Sequence, residues 1–188
     1  MLYRVCLLLL VPVLSSCGAG DRDPVAEAQF QNEKRIGDAD VTRRQERDAE
    51  FMVNAAGTGL LTLELSKLAQ QKAAAAPLRT FALELQRSHT GLHAALRTLA
   101  QQKSLTLPDG LGREQQRAYQ DLVGLTGARF DEQFLQLVAT GHDEAADDFQ
   151  DMAEDAYDGD IRAFAAKYAP ILEQHHNQAE QLRDQLPR

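Results

Sequence analysis

Apolar residues recur along most of this chain at steps of three and four. From Leu78 to Leu99 they fall at Leu78, Phe81, Leu85, Leu92, Leu96 and Leu99, which draws a single stripe down an α-helix. The same spacing predicts a helix from Asp48 carrying Phe51, Leu60, Leu61, Leu65 and Leu68, with Asp48 as its N-cap. A third helix begins near Ala128 and carries Phe134, Leu135, Val138, Ala145, Phe149 and Met152. A last one carries Ile161, Phe164, Tyr168, Ile171, Leu172, Ala179, Leu182 and Leu186. Pro170 is expected to kink this last helix rather than end it, because the stripe resumes at once.

Breaks separate the stripes. Ala73 to Ala76 lead into Pro77, which cannot extend a helix but suits the first turn of the next. Leu107-Pro108-Asp109-Gly110, the Gly124 to Gly127 segment and Asp158-Gly159-Asp160 are turn signals, and Gly112 to Leu122 reads as a short connecting helix. No segment alternates like a strand. The pattern therefore predicts an all-α fold: an antiparallel up-and-down four-helix bundle over residues 48–186 with one short connecting helix. Gly57 and Gly59, costly inside a helix, predict close approach of a neighbouring helix or a local kink. A phosphate loop is excluded there, since no strand precedes it and no Lys-Ser/Thr follows.

Each stripe is interrupted once by a polar residue: Glu64, His89, His142 and His175. Glu64 and His89 lie about 11 and 13 residues from the turn between them, a height mismatch of roughly 3 Å. His142 and His175 lie about 16 and 17 residues from theirs, a mismatch of roughly 2 Å. With a level crossover between the hairpins, all four side chains are expected to meet in one layer. A Glu and three His suit a divalent transition metal such as Zn, Fe, Mn or Cu. The same groups can instead satisfy one another as a buried hydrogen-bonded layer that fixes helix register. Both readings stand at this point. His93, Glu173 and His176 are candidate additional ligands. Glu173 and His176 make one Glu-x-x-His pair, an element that di-iron bundles use twice, so its single copy argues against a ferritin-like oxidase centre. The sequence carries no Gly-x-Ser-x-Gly, His-Glu-x-x-His or Walker loop, and no catalytic residue is assigned.

Composition narrows the partners. The 188 residues suffice for one core, and the net charge of −8 argues against a nucleic-acid binder. No repeat of solenoid length is visible. The run Asp143, Glu144, Asp147, Asp148, Asp151, Glu154, Asp155, Asp158 and Asp160 contains no Lys or Arg, and its i,i+4 pairs repel. It is a candidate surface for cations or a basic protein partner, set against the plainer reading of a solvated face.

The chain begins differently. Arg4, the apolar run Val5 to Leu14 and the ending Leu14-Ser15-Ser16-Cys17 read as a signal peptide over residues 1–16 that resembles those cleaved before a lipidated cysteine. Acyl chains on Cys17 would anchor the protein stably. Gly18 in place of Asp, by analogy with lipoprotein sorting, points to the outer membrane, facing the periplasm. Cys6 would leave with the signal and Cys17 would carry lipid, so no thiol remains for disulfides or thiolate metal sites. Residues 17–47 are polar and poor in large apolar side chains, and read as the lipidated Cys and a largely disordered tether.

Three stretches, DAEFMVNAAGTGLLTLELSKLAQQKAAAAPLRTFALELQRSHTGLHAAL, GARFDEQFLQLVATGHDEAADDF and IRAFAAKYAPILEQHHNQAEQL, resemble a bacterial envelope family known as a domain of unknown function, number 4142 in its series. The resemblance covers roughly Asp48 to Leu182 and includes the LPDG segment. It implies a ferritin-like helical bundle in the outer-membrane and periplasmic compartment, with no settled activity. The family's histidines map onto His89, His142 and His175, and its Phe-Asp pair onto Phe130-Asp131. This chain departs at Thr62, where the family usually has Glu, and at Ser88-His89, where it has Asp-His. Glu64 matches a less regular acidic position nearby.

Overall fold

The stripes fold as helices, and short polar contacts decide how they are arranged. The structure, a computed structural model, describes residues 22–37 and 43–186. These residues form six helices and no strand: α1 (Pro24–Gly37), α2 (Arg43–Lys72), α3 (Ala76–Gln102), α4 (Arg113–Val123), α5 (Gly127–Asp155) and α6 (Gly159–Asp184). The signal segment and Cys17 lie outside the described residues. Helix α4 is the expected connector, and α6 runs on through Pro170.

Two boundaries differ from expectation. Helix α2 starts five residues before Asp48. Residues 24–37, expected within a disordered tether, form α1. The cause is polar: Asp23 Oδ1 accepts the N–H groups of Val25 and Ala26 at 3.0 and 3.2 Å. The buried Asn32 side chain then bonds both the carbonyl and the N–H of Thr106, at 2.9 and 2.8 Å. Gly57 lets α1 approach α2, since a Cβ there would stand 3.2 Å from Val25 Cγ2.

Helix α2 packs on α3 and α5 on α6, and the two pairs meet through α2–α5 and α3–α6. Two buried carboxylates set their direction. Asp48, near the start of α2, accepts the N–H groups of Tyr157 and Asp158 in the α5–α6 turn at 3.0 and 2.8 Å. Asp131, near the start of α5, accepts those of Ala74 and Ala75 in the α2–α3 turn, both at 2.9 Å. Each pair's first helix thus begins beside the other pair's turn, so α2 and α5 run in opposite directions while α3 runs with α5. The connection from α3 to α5 therefore spans the length of the molecule, so the condition of a level crossover does not hold and the helices depart from the expected up-and-down order. It leaves where Lys103 pairs with Asp158 and Asp160, at 2.7 and 2.6 Å, and arrives where Lys72 Nζ donates to the Val123 carbonyl. The order of directions is up, down, down, up.

The two halves use the same residues for the same tasks. Arg79 donates to the carbonyls of Ala73 and Ala74, at 2.6 and 3.0 Å, and Arg162 donates to those of Ala156 and Tyr157. Asp48 and Asp131, Phe51 and Phe134, Ala73 and Ala156, Arg79 and Arg162, Phe81 and Phe164, and His93 and His176 each stand 83 residues apart. The two hairpins thus share one pattern, with no gap between the matched positions.

Apolar side chains collect in two clusters rather than one. Met52, Leu92, Leu96, Phe149, Met152, Ile161, Phe164 and Leu172 belong to the first. Leu65, Leu78, Phe81, Leu85, Leu122, Phe130, Phe134, Leu135 and Val138 belong to the second. Between them, at mid-height, lies a polar layer.

Candidate metal centre

His89 follows Leu85 of one cluster and precedes Leu92 of the other, and His142 and His175 stand at the same boundary on α5 and α6. Their rings form a nearly equilateral triangle, with centroids 5.1, 5.2 and 5.5 Å apart. All three residues are buried, at 2–3% exposure, and one nitrogen from each lies within 4.8 Å of the others. Mid-helix placement explains why the layer forms although the crossover is not level: a residue halfway along a helix keeps its height when the helix is reversed.

Burial sets the protonation. It pushes His142 down to about 3, with the neighbouring His175 adding to the effect and the bond to the Val138 carbonyl opposing it. Burial also holds His89 well below 6.5, helped by His142, His175 and His93, and lowers His175 against the pull of Glu84. The three imidazoles are neutral at pH 7. His142 Nδ1 lies 2.8 Å from the Val138 carbonyl, so it carries the proton and leaves a lone pair on Nε2. His89 Nε2, 3.0 Å from that lone pair, then donates to it. This leaves Nδ1 of His89 bare, and Nδ1 of His175 is likewise buried without a partner among the described residues. The layer is thus incompletely satisfied, unlike most buried polar groups.

The donor set fits a transition-metal ion. Neutral imidazole suits Zn, Cu, Fe and Ni, and a bond from the second ring nitrogen to a carbonyl, as in His142, is the usual device for orienting a metal-bound histidine. Two imidazoles bound at about 2.0–2.1 Å in a tetrahedral set stand roughly 3.3–3.4 Å apart. An ion between the two Nε2 atoms would take the place of this hydrogen bond, with the His89 proton carried on Nδ1, and the observed 3.0 Å opens to that spacing with a shift of a few tenths of an ångström.

Glu64 does not join the layer. Its carboxylate is part-exposed and pairs with Lys67 at 2.6 Å. The reason lies in the face that α2 buries: Phe51, Met52, Val53 and Leu65 are buried together with the small Ala55, Ala56, Gly59, Thr62, Ser66 and Ala69, whereas Leu60, Leu61 and Leu68 flank that face and Glu64 lies beside them. At the level of the layer α2 presents Gly59, where a Cβ would stand 4.0 Å from His89 Nδ1. Thr62, at the position where the resembled family usually has Glu, is buried and donates to the Thr58 carbonyl at 3.0 Å. His93 sits one turn from His89 with a buried, partnerless Nδ1, outside the triangle. Glu173 is exposed on α6. His176 is part-buried and donates from Nδ1 to the Ala139 carbonyl at 3.0 Å.

The family model for the domain of unknown function DUF4142 matches residues 34–182. The chain belongs to the DUF4142 family. No curated protein matches it significantly. Among solved structures, CopM in the Cu(II)-bound form is similar in fold, with a TM-score of 0.62 at 15% sequence identity. The match covers 73% of this chain and 95% of that one. For this DUF4142 member it establishes a shared helical-bundle fold. No helix among the described residues is long and apolar enough to cross a membrane.

Proposed function

We propose that this protein is a lipid-anchored periplasmic bundle of the ferritin-like kind that binds one divalent first-row transition-metal ion through His89, His142 and His175. Its four long helices make two antiparallel hairpins around that site. The observation carrying this reading is the meeting of three neutral buried imidazoles, with one ring nitrogen of each within 4.8 Å of the others. Copper is the first ion to try. Imidazole sites bind Cu²⁺ most tightly among the divalent first-row ions, and a protein of similar fold is known in a Cu(II)-bound form. The lipid anchor is supported by Leu14-Ser15-Ser16-Cys17. The reading is of a binding protein rather than an enzyme.

Tagless protein purified without chelator is expected to take up one equivalent of Cu²⁺. At an ion concentration a hundred times Kd, binding adds about 2.7 kcal/mol of stability. His142→Leu is expected to abolish tight uptake while leaving the metal-free stability unchanged or raised, since the apolar side chain joins the clusters on either side. The competing reading is a hydrogen-bonded layer that only fixes register, favoured by the 3.0 Å bond between His89 and His142. It prevails if no stoichiometric metal is found and Cu²⁺, Zn²⁺ and Mn²⁺ leave the melting temperature unmoved. The anchor is tested separately: Cys17→Ser is expected to release the protein from the membrane fraction.

A further inference from the structure

The histidine layer is closed to solvent, so an ion needs a way in. We propose that Asp143 and His176 form an outer capture site that receives a transition-metal ion and passes it to His142 and His175. This rests on the metal-binding reading above.

The two helices that pack most extensively carry the same arrangement. On α5 the inner ligand His142 is followed by Asp143, and on α6 the inner ligand His175 is followed by His176. Inner and outer donors are thus chain neighbours on both helices, with Cα atoms about 3.8 Å apart. His176 is held for the task. Its Nδ1–H donates to the Ala139 carbonyl at 3.0 Å, which fixes the ring and leaves the lone pair on Nε2. That nitrogen faces Asp143 Oδ1 at 3.9 Å, too far for a hydrogen bond. Nitrogen and carboxylate ligands on one tetrahedral ion stand roughly 3.3–3.5 Å apart, so a small inward movement closes the pair around a cation. Glu173 precedes His176 by one turn on the same face of α6 and is exposed.

Access and charge favour this route. The Asp143 side chain is 66% exposed and that of His176 26%, whereas the inner histidines are buried. The acidic run is not uniform. Its far end is partly neutralised by Arg47, which reaches Asp151 and Asp155, and by Lys103, which pairs with Asp158 and Asp160. Asp143, Glu144 and Asp147, exposed at the end nearest the layer, have no such Lys or Arg partner among the described residues, so their field is free to concentrate cations at the mouth.

The test is a stopped-flow measurement of Cu²⁺ uptake by the full-length protein, paired with NMR. Asp143→Asn and His176→Gln are each expected to slow uptake by about tenfold while changing equilibrium affinity less than twofold. In His142→Leu, where the inner site is broken, Cu²⁺ is expected to broaden the His176 and Asp143 resonances, and adding His176→Gln should remove that broadening. Wild-type uptake rates in both single variants, with affinity intact, would overturn the outer site and leave the inner one standing. So would absence of broadening at His176 in His142→Leu. Broadening at His176 in a wild-type protein that binds no ion tightly would uphold the outer pair and sink the reading of the layer.

Discussion

Lowering the pH from 7 to 4 is expected to remove several kcal/mol of stability from the metal-free protein, most of it through the histidine layer. His142 has an ordinary value of 6.5 in the unfolded chain and about 3 when folded. Between these values the unfolded chain binds a proton that the folded one refuses, so stability is intact above 6.5 and falls as the pH drops towards 3. The slope is about 1.4 kcal/mol per pH unit for each such group, and His89 and His175 shift in the same direction. His142 alone accounts for a loss of order 4 kcal/mol across the window, a large part of a typical domain's 5–15 kcal/mol. Denaturant midpoints at pH 7, 6 and 5 read the effect before most carboxylates titrate. His142→Leu should flatten the slope. A wild-type midpoint that stays constant from pH 7 to 5 would show that the layer is not held neutral.

The second large effect lies at the ends of the molecule. Asp48→Ala and Asp131→Ala each leave two backbone N–H groups of a turn without their acceptors. The expected cost is about 2–3 kcal/mol each, which lowers the melting temperature by roughly 5–12 °C. The sites are at opposite ends and share no partner, so the losses should add in the double variant. Asn at either position keeps one acceptor oxygen and should recover part of the loss. A fall of under 2 °C for both alanine variants would mean that water replaces the carboxylates and that the turns are held by packing alone.

Helices α3, α5 and α6 were legible because their buried faces are made of large apolar residues, and each histidine stood out against Leu, Phe or Val. Helix α2 was legible as a helix, with Phe51 and Leu65 buried as its stripe requires, but its inward face was only partly so. Between those residues it is completed by Ala55, Ala56, Gly59, Thr62 and Ser66, which permit close approach but carry little hydropathy, whereas Leu60, Leu61 and Leu68 mark a flanking stripe that turns Glu64 outward. Residues 25–36 could form a short helix, but their apolar positions are too sparse to demand one; Asp23 and Asn32 secure α1 through hydrogen bonds, which an apolar pattern cannot register. The direction of the crossover depends on Asp48 and Asp131 reaching turns more than fifty residues away in sequence, which no local pattern encodes. The spacing of 83 between matched residues was present in the sequence, but few positions match, and their shared role becomes visible only when both carboxylates are seen holding a turn.

The shared pattern bears on the site as well as on the frame. Shifted by 83 residues, His142 corresponds to Gly59, His175 to Leu92 and His89 to Leu172. None of the three histidines has a histidine twin. The twinned Asp and Arg pairs hold the turns, whereas the untwinned histidines occupy the centre. The symmetry holds where the turns are secured and is absent at the central histidine layer.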